Sequence, residues 1–309
     1  MHIPVLYEEI IAYLQPRSGG IYIDGTVGSG GHAKGILLAS DPDGRLLAFD
    51  RDPEAISFAR EQLLDVGDRV TFVQASYGEM AELAPRFGFK QVNGILLDLG
   101  LSSRQLEDGE RGFSFMQAGT LDMRFDPTHG ETAADLINQL DEAEIADILW
   151  RYGEMRNSRR FARAIVSERP VKSTQQLTNL VLRESGKSKK RQIHPATLVF
   201  QALRIAVNNE LAELEKGLAA AIELLATDGY LAIISFHSLE DRMVKQFIHR
   251  QSKECICPPE LPICTCDTRP NLRPITRKVV RPSVAEITRN PRSRSARLRV
   301  AQKLAGGQA

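Results

Sequence analysis

Nine consecutive residues, Asp24-Gly25-Thr26-Val27-Gly28-Ser29-Gly30-Gly31-His32, directly follow the apolar run Ile21-Tyr22-Ile23. A strand that runs into a glycine-rich turn and then a helix (Ala33 to Ala39) is how α/β proteins open a nucleotide site. Glycines let the backbone turn tightly and bring a ligand close with no Cβ in the way. A second apolar run, Leu46-Leu47-Ala48-Phe49, ends in Asp50, whose carboxylate can accept from a ribose diol in a charge-assisted pair. These residues specify a nucleoside site. Gly28-Ser29-Gly30 with Ala33 also fits a loose dinucleotide fingerprint, so charge has to choose the ligand. Asp24 at the mouth of the turn would repel a pyrophosphate, but it suits a ligand carrying an ammonium and a sulfonium. S-adenosylmethionine is such a ligand and is favoured over NAD. A turn built for packing alone would have no use for acids at two successive strand ends.

Two further segments bring polar groups to strand ends. Asp98-Leu99-Gly100-Leu101-Ser102-Ser103-Arg104-Gln105 follows a fourth apolar run, a position beside the first turn in a doubly wound sheet. Its acid and its hydroxyls, Ser102 and Ser103, suit a substrate amine or the cofactor's amino-acid end. Turn formation and capping are the alternative use of such residues. Ser235-Phe236-His237-Ser238-Leu239-Glu240-Asp241-Arg242 follows a fifth run. Phe236 offers a ring to stack on a base, and His237 a proton relay or a structural hydrogen bond. Four cysteines form two C-x-C pairs, Cys255 with Cys257 and Cys264 with Cys266. Paired thiols outside an oxidising compartment suggest metal before disulfide, but zinc more often meets C-x₂-C. A zinc site and plain thiols in a proline-stiffened loop are both compatible with this spacing, and no metal is assigned.

The elements that position these residues follow from short apolar runs, each ended by a polar residue. Strands are expected at Ile21–Asp24, Leu46–Phe49, Val70–Val73, Val92–Leu97 and Tyr230–Phe236, with helices at Gly31–Ser40, Pro53–Leu64, Tyr77–Ala84 and Leu239–Gln251. Strand–helix alternation implies a doubly wound, mostly parallel sheet. Between Thr132 and Ala226 the patterns are helical only: one helix opens at Asp141-Glu142-Ala143-Glu144, another follows Thr174, and a long amphipathic stretch covers Ala196–Ala226. We therefore expect a catalytic domain of residues 1–115 and 227–309 and an inserted, all-helical substrate-binding domain of residues 116–226. Two final strands, Ile275–Val280 and Ala296–Ala301, are joined too closely for a crossover helix and should pair antiparallel. Such a finish is the methyltransferase variant of the fold, an analogy that bears on fold more than on function.

With 309 residues, 42% hydrophobic and 26% charged, the composition is that of a globular protein with more than one domain. No apolar run approaches the roughly 20 residues of a membrane span. The start, Met1-His2-Ile3-Pro4-Val5, lacks a basic n-region and an apolar h-region, so a cytoplasmic location is expected. Net charge is only +1, yet it is segregated. Arg156, Arg159, Arg160 and Arg163 form one basic cluster, Lys187, Lys189, Lys190 and Arg191 another. Eleven Lys/Arg follow Asp267, and acids gather between Glu131 and Asp147. Segregation of this kind suits approach to a polyanion, where solvated helix faces and a loose tail are the plainer use of the same residues.

The segments Ile21–His32, Ile95–Gln105, Arg111–Met116, Leu121–Asp126, His194–Thr197, Phe200–Val207 and Ile234–Arg242 resemble the bacterial small-subunit ribosomal RNA cytidine-N4 methyltransferases, the RsmH (MraW) family. The resemblance runs from Val5 to Leu304 and is far more specific than any glycine motif. It implies the class I S-adenosylmethionine-dependent methyltransferase fold with an inserted helical domain. The implied activity is methylation of the N4 amine of a cytidine in the decoding region of 16S rRNA, with S-adenosylmethionine as cofactor and the small ribosomal subunit as partner. It also implies a cofactor site of Gly30, Gly31, His32, Asp50, Tyr77, Asp98 and Gln105. Relatives can hold phenylalanine at the position of Tyr77, and either ring can stack on adenine. The cysteine loop varies among relatives, so the resemblance implies no metal there. Ser102, Ser103 and His237 are the candidates for the amine's partners. The readings set against this one are a DNA cytosine-N4 or other amino-methyltransferase, and a non-catalytic assembly factor that retains the cofactor pocket. DNA and membrane are not expected as partners, and the sequence leaves the oligomeric state open.

Overall fold

A computed structural model of the chain describes residues 4–186, 194–255, 257, 266 and 268–305. The chain divides into two compact units, residues 1–100 with 212–309, and residues 101–211. The second unit thus begins and ends earlier than the expected insertion of 116–226. At its close the reason is packing: Leu214, Leu218, Ala221 and Ile222, on the helix Glu210–Leu224, are buried with the sheet residues of the first unit.

The first unit holds a seven-stranded sheet: β1 (Ile21–Asp24), β2 (Arg45–Asp50), β3 (Val70–Gln74), β4 (Val92–Asp98), β5 (Leu225–Ser235), β6 (Leu272–Pro274) and β7 (Arg297–Lys303). The spatial order is β3-β2-β1-β4-β5-β7-β6. Strands β1 to β5 run parallel, and β7 lies antiparallel between β5 and β6. Because side chains alternate along a strand, the two faces bury different residues. Ile23, Leu47, Ile95, Leu97 and Ile233 belong to one core, Tyr22, Leu46, Ala48, Leu96 and Ile234 to the other. Burial on both faces is why these strands read as unbroken apolar runs. The strand order reverses at the neighbours β1 and β4, and ligands of such sheets bind beyond the carboxyl ends at that switch point.

The tail differs from its expected form in register. The ladder with β7 is made by Leu272–Pro274 and not by Ile275–Val280. It stops where Pro274 has no N–H to donate. Ile275 donates to the Val300 carbonyl, and Val280 exchanges both bonds with Leu298 in an isolated antiparallel bridge. The stretch Ala196–Ala226 is also divided. The helices Pro195–Asn208 and Glu210–Leu224 break at Asn209, which takes a φ of 53°, a left-handed conformation that asparagine tolerates better than most residues. Its last two residues belong to β5.

The second unit is helical, with a core of its own that includes Ile137, Ile145, Leu149, Phe161, Leu177 and Leu203. Capping boxes at Thr132/Asp135 and Asp141/Glu144 satisfy the first amides of two helices. Buried polar side chains fix its loops. Asn208 accepts from the Phe125 amide and donates to the Met123 carbonyl, at 2.7 Å each. Arg111 donates to the carbonyls of Arg124 and Phe125, and Arg204 meets Glu210 in a two-pronged pair at 2.7 and 2.8 Å. Among the described residues no helix is long and apolar enough to cross a membrane.

Candidate functional site

The glycine turn is assembled by hydrogen bonds from neighbouring strand ends. Gly25 donates to the Leu96 carbonyl and Val27 to the Phe49 carbonyl, which ties the turn to β4 and β2. Gly28 donates to Asp50 Oδ2 at 2.9 Å. A Cβ at Gly25 would lie 2.4 Å from Leu97 Cδ2 and 2.9 Å from Tyr77 Cβ, so only glycine fits there. Gly30 caps the helix Gly31–Ala39 with a φ of 80°, a region open to glycine but costly for other residues. His32, on the first turn of that helix, is 6% exposed, and its Nε2 lies 3.7 Å from Asp98 Oδ2.

Three carboxyls meet at the carboxyl ends of β1, β2 and β4. Asp24 is 1% exposed and accepts from the Thr26 amide at 3.1 Å. Its pKa is pushed up to about 7, first by burial and then by the Asp50 charge, against the hydrogen bonds of Thr26. Asp50 accepts from the amides of Gly28 and Asp52, and burial still carries it up to about 6. Asp98 is raised to about 8, by loss of surrounding water first and then by the charges of Asp24 and Glu240. A quarter of its side chain reaches the surface (26%), but its Oδ1 is buried with no hydrogen-bond partner among the described residues. Carboxyls that are desolvated and held near one another resist ionisation until a cation joins them. A cation brought among them would favour their ionised forms.

Tyr77 follows β3 in a short turn capped by Ser76 and Glu79. Its ring lies on the helix Glu210–Leu224 at Gly217, where a Cβ would come within 2.4 Å of Tyr77 Cδ2. At the end of β5, Phe236 rests on Gly100 beyond β4; a Cβ there would lie 3.3 Å from its Cδ2. His237 is 9% exposed and caps the helix Ser238–Gln251. Its Nδ1 accepts from the Glu240 amide at 3.4 Å, and Glu240 Oε2 accepts from the amides of Phe236 and His237. The imidazole Nε2 lies 3.0 Å from Glu240 Oε1.

Within the first unit, then, Gly30, Gly31, His32, Asp50, Tyr77, Asp98 and His237 all lie at or just beyond the carboxyl ends of strands. Ser102, Ser103 and Gln105 belong to the second unit. There Ser102 Oγ accepts from the Gln105 amide at 3.2 Å and Gln105 Oε1 accepts from the Ser102 amide at 3.0 Å. This reciprocal box opens the helix Ser103–Glu107, so Ser-x-x-Gln, a capping signature, accounts for part of what this segment does. Sequence reasoning passed over Thr26, whose Oγ1 accepts from the Asp98 amide at 2.7 Å and so links the first turn to the end of β4. The only local signal was a hydroxyl beside the glycines.

The basic residues prove unequal. Arg156 and Arg159 are exposed, while Arg160 pairs with Glu184 at 2.8 Å and Arg163 with Glu142 at 3.4 Å. In the tail, Arg297 and Arg299 of β7 are held by Asp241 at 3.3 and 2.7 Å, and Lys303 donates to the Ile222 carbonyl. These three serve the fold rather than a loose arm. The cluster Lys187–Arg191 lies outside the described residues.

Comparison with known proteins places this geometry. A family model described as the MraW methylase family matches residues 1–304. A Thermomicrobium roseum protein named Ribosomal RNA small subunit methyltransferase H is 53% identical over 307 residues, covering 98% of this chain and 94% of that protein. Proteins of the same name from Syntrophobacter fumaroxidans and Dehalococcoides mccartyi are 51% and 50% identical, over 98% of this chain and 96% and 86% of theirs.

Proposed function

Because the chain belongs to the MraW methylase family, we propose that it uses S-adenosylmethionine to methylate the N4 amine of a cytidine in the decoding region of 16S rRNA. The rRNA target rests on the family, and the observation that carries the cofactor is the group of carboxyls, Asp24, Asp50 and Asp98, at the strand ends around a glycine turn. A pyrophosphate would add negative charge beside them, whereas an ammonium and a sulfonium relieve their repulsion. Asp98, with its buried and unpartnered Oδ1, suits the cationic end of the ligand. Asp50 suits the ribose diol while it holds the Gly28 amide, and the Tyr77 ring suits the adenine. Gly30, Gly31 and His32 are carried as cofactor residues by their family positions: Gly30 takes the left-handed conformation of the turn, Gly31 packs on Pro4, and His32 lies beside Asp98. Gln105 is carried as a cofactor residue by its family position. When bound, the chemistry that S-adenosylmethionine supplies is an electrophilic methyl on a positively charged sulfur.

The chain's own task is then positioning and proton removal. The N4 lone pair of cytosine is delocalised into the ring, so the amine has to be held in line with the methyl and relieved of a proton. Ser102, Ser103 and His237 are the proposed partners of that amine. Ser102 already uses Oγ as an acceptor in its cap, which leaves its O–H to donate. His237 accepts at Nδ1, so its neutral ring carries its hydrogen on Nε2, 3.0 Å from Glu240 Oε1, and it serves the amine by relaying a proton through that pair. A base in a ribosomal loop is reached by splaying it out of the stack, with Phe236 as the stacking surface. The exposed Arg156 and Arg159 are the proposed phosphate partners, and the cytoplasm, where ribosomes are made, is the proposed location.

The test is transfer of label from methyl-labelled S-adenosylmethionine to small ribosomal subunits of cells lacking the enzyme, to free 16S rRNA and to DNA. Label should enter the ribosomal substrates. Label in DNA, or in none of the three, would overturn the proposal.

A further inference from the structure

The chain has four cysteines, all between Cys255 and Cys266. They lie between the helix Ser238–Gln251 and β6, in a loop whose base is closed by Asn271. Its amide donates to the Gln251 carbonyl at 2.8 Å and its side chain to Gln251 Oε1 at 2.7 Å. Within that loop the sulfurs of Cys255, Cys257 and Cys266 all lie within 4.8 Å of one another. Those of Cys255 and Cys266 are 3.6 Å apart, and the Cys257 amide donates to Cys255 Sγ at 3.4 Å. All three are thiols rather than disulfides.

We infer that Cys255, Cys257 and Cys266 hold a zinc ion, one of the two uses that the C-x-C spacing left open. Cysteine outside disulfides is among the most buried residue types. Here Cys255 is exposed and the other two are partly so, so core packing does not explain why they gather. The distances fit an ion. Sulfurs on a tetrahedral zinc, each about 2.3 Å from the metal, stand roughly 3.8 Å from one another; Cys255 and Cys266 are at 3.6 Å, and all three sulfurs lie within 4.8 Å. An N–H donated to a cysteine sulfur is the outer-shell contact that orients a thiolate ligand. Three sulfur donors select a soft or borderline ion and exclude calcium and magnesium, which take oxygen. A tetrahedral ion would take one more donor; Cys264 lies outside the described residues. In sequence, Cys255 and Cys257 follow the helix Ser238–Gln251 and Cys266 precedes β6, so the ion would tie the two together in a role apart from methyl transfer.

The test uses the full chain, freed of any metal-binding tag, grown with zinc supplied and dialysed under reducing conditions. Elemental analysis should find one zinc per chain, and Cys255→Ser with Cys266→Ser should lose it at least tenfold. Cobalt added to metal-free wild-type protein should give the thiolate-to-cobalt charge-transfer absorption, which the double variant lacks. The cobalt spectrum decides the matter even if the variant does not fold. Wild-type protein that keeps no zinc and gives no thiolate band would overturn the inference. So would zinc that survives in the double variant, or a mass showing these cysteines oxidised to a disulfide.

Discussion

Replacing Asp24 by asparagine should stabilise the ligand-free protein while it weakens cofactor binding. Asp24 sits at the end of β1 with 1% of its surface exposed, and its pKa moves from an ordinary 3.8 up to about 7. At roughly 1.4 kcal/mol for each pH unit, keeping that carboxyl ionised in the fold costs about 4 kcal/mol relative to the unfolded chain. The sign follows from the raised value. The group's favourable contribution is complete below pH 3.8 and is lost as pH rises through about 7. Asparagine keeps the oxygen that accepts from the Thr26 amide and removes the charge. A buried amide also loses hydration, so the net gain at about pH 8 should be roughly 1–3 kcal/mol, several degrees in Tm. At about pH 4.5 the unfolded aspartate is itself partly protonated and most of the gain should vanish. Thermal denaturation of both proteins without ligand, across that range, measures the effect, and calorimetry with S-adenosylmethionine should show affinity at least tenfold weaker. An Asn variant no more stable than wild type at about pH 8, with the same slope against pH, would refute the claim that this carboxyl is held in a costly state.

Asp50→Ala should weaken S-adenosylmethionine binding about ten- to a hundredfold, the loss of a hydrogen-bonded charge; unchanged affinity by calorimetry on folded protein would place the ribose elsewhere. Wild-type affinity should rise from about pH 6 to about pH 8, because the cation pairs with ionised Asp24 and Asp98 and the ribose diol with ionised Asp50, groups whose values are raised to about 7, 8 and 6. Calorimetry in buffers of different ionisation enthalpy should then detect protons released on binding, and a flat profile would contradict the raised carboxyls. Arg156→Ser with Arg159→Ser should leave cofactor affinity alone and flatten the slope of log K for 16S rRNA against log salt by nearly one for each phosphate no longer neutralised; an unaltered slope would leave both arginines without a role in holding RNA.

The parallel sheet was readable because its strands are buried on both faces, so Ile21–Asp24 and Val92–Leu97 stood out as short apolar runs. Their polar ends, Asp24 and Asp98, then marked the sheet edge. Other signals were ambiguous. Ser102 and Ser103 read as partners of the amine and Gln105 as a cofactor residue, and Ser102 with Gln105 also forms a capping box, because helix caps and polar sites draw on the same residue types. The tail's basic residues read as an arm, yet Asp241 engages Arg297 and Arg299 from another element, a pairing with no trace in spacing. Asn209, which divides a long amphipathic stretch, carries a weak signal because asparagine only tolerates the left-handed conformation. The raised carboxyls could not be read at all. Each acid was visible, but its pKa depends on burial and on acids tens of residues away in the chain.

The central claim is that one cytidine amine in the decoding region of 16S rRNA receives the methyl group. Its most direct test takes small subunits from cells lacking the enzyme, incubates them with this protein and isotope-labelled S-adenosylmethionine, and maps the label by nucleoside and fragment mass spectrometry. The account predicts a single labelled N4-methylcytidine in the decoding region. Label on a ring carbon, on a ribose hydroxyl or on a nucleotide outside that region would contradict it.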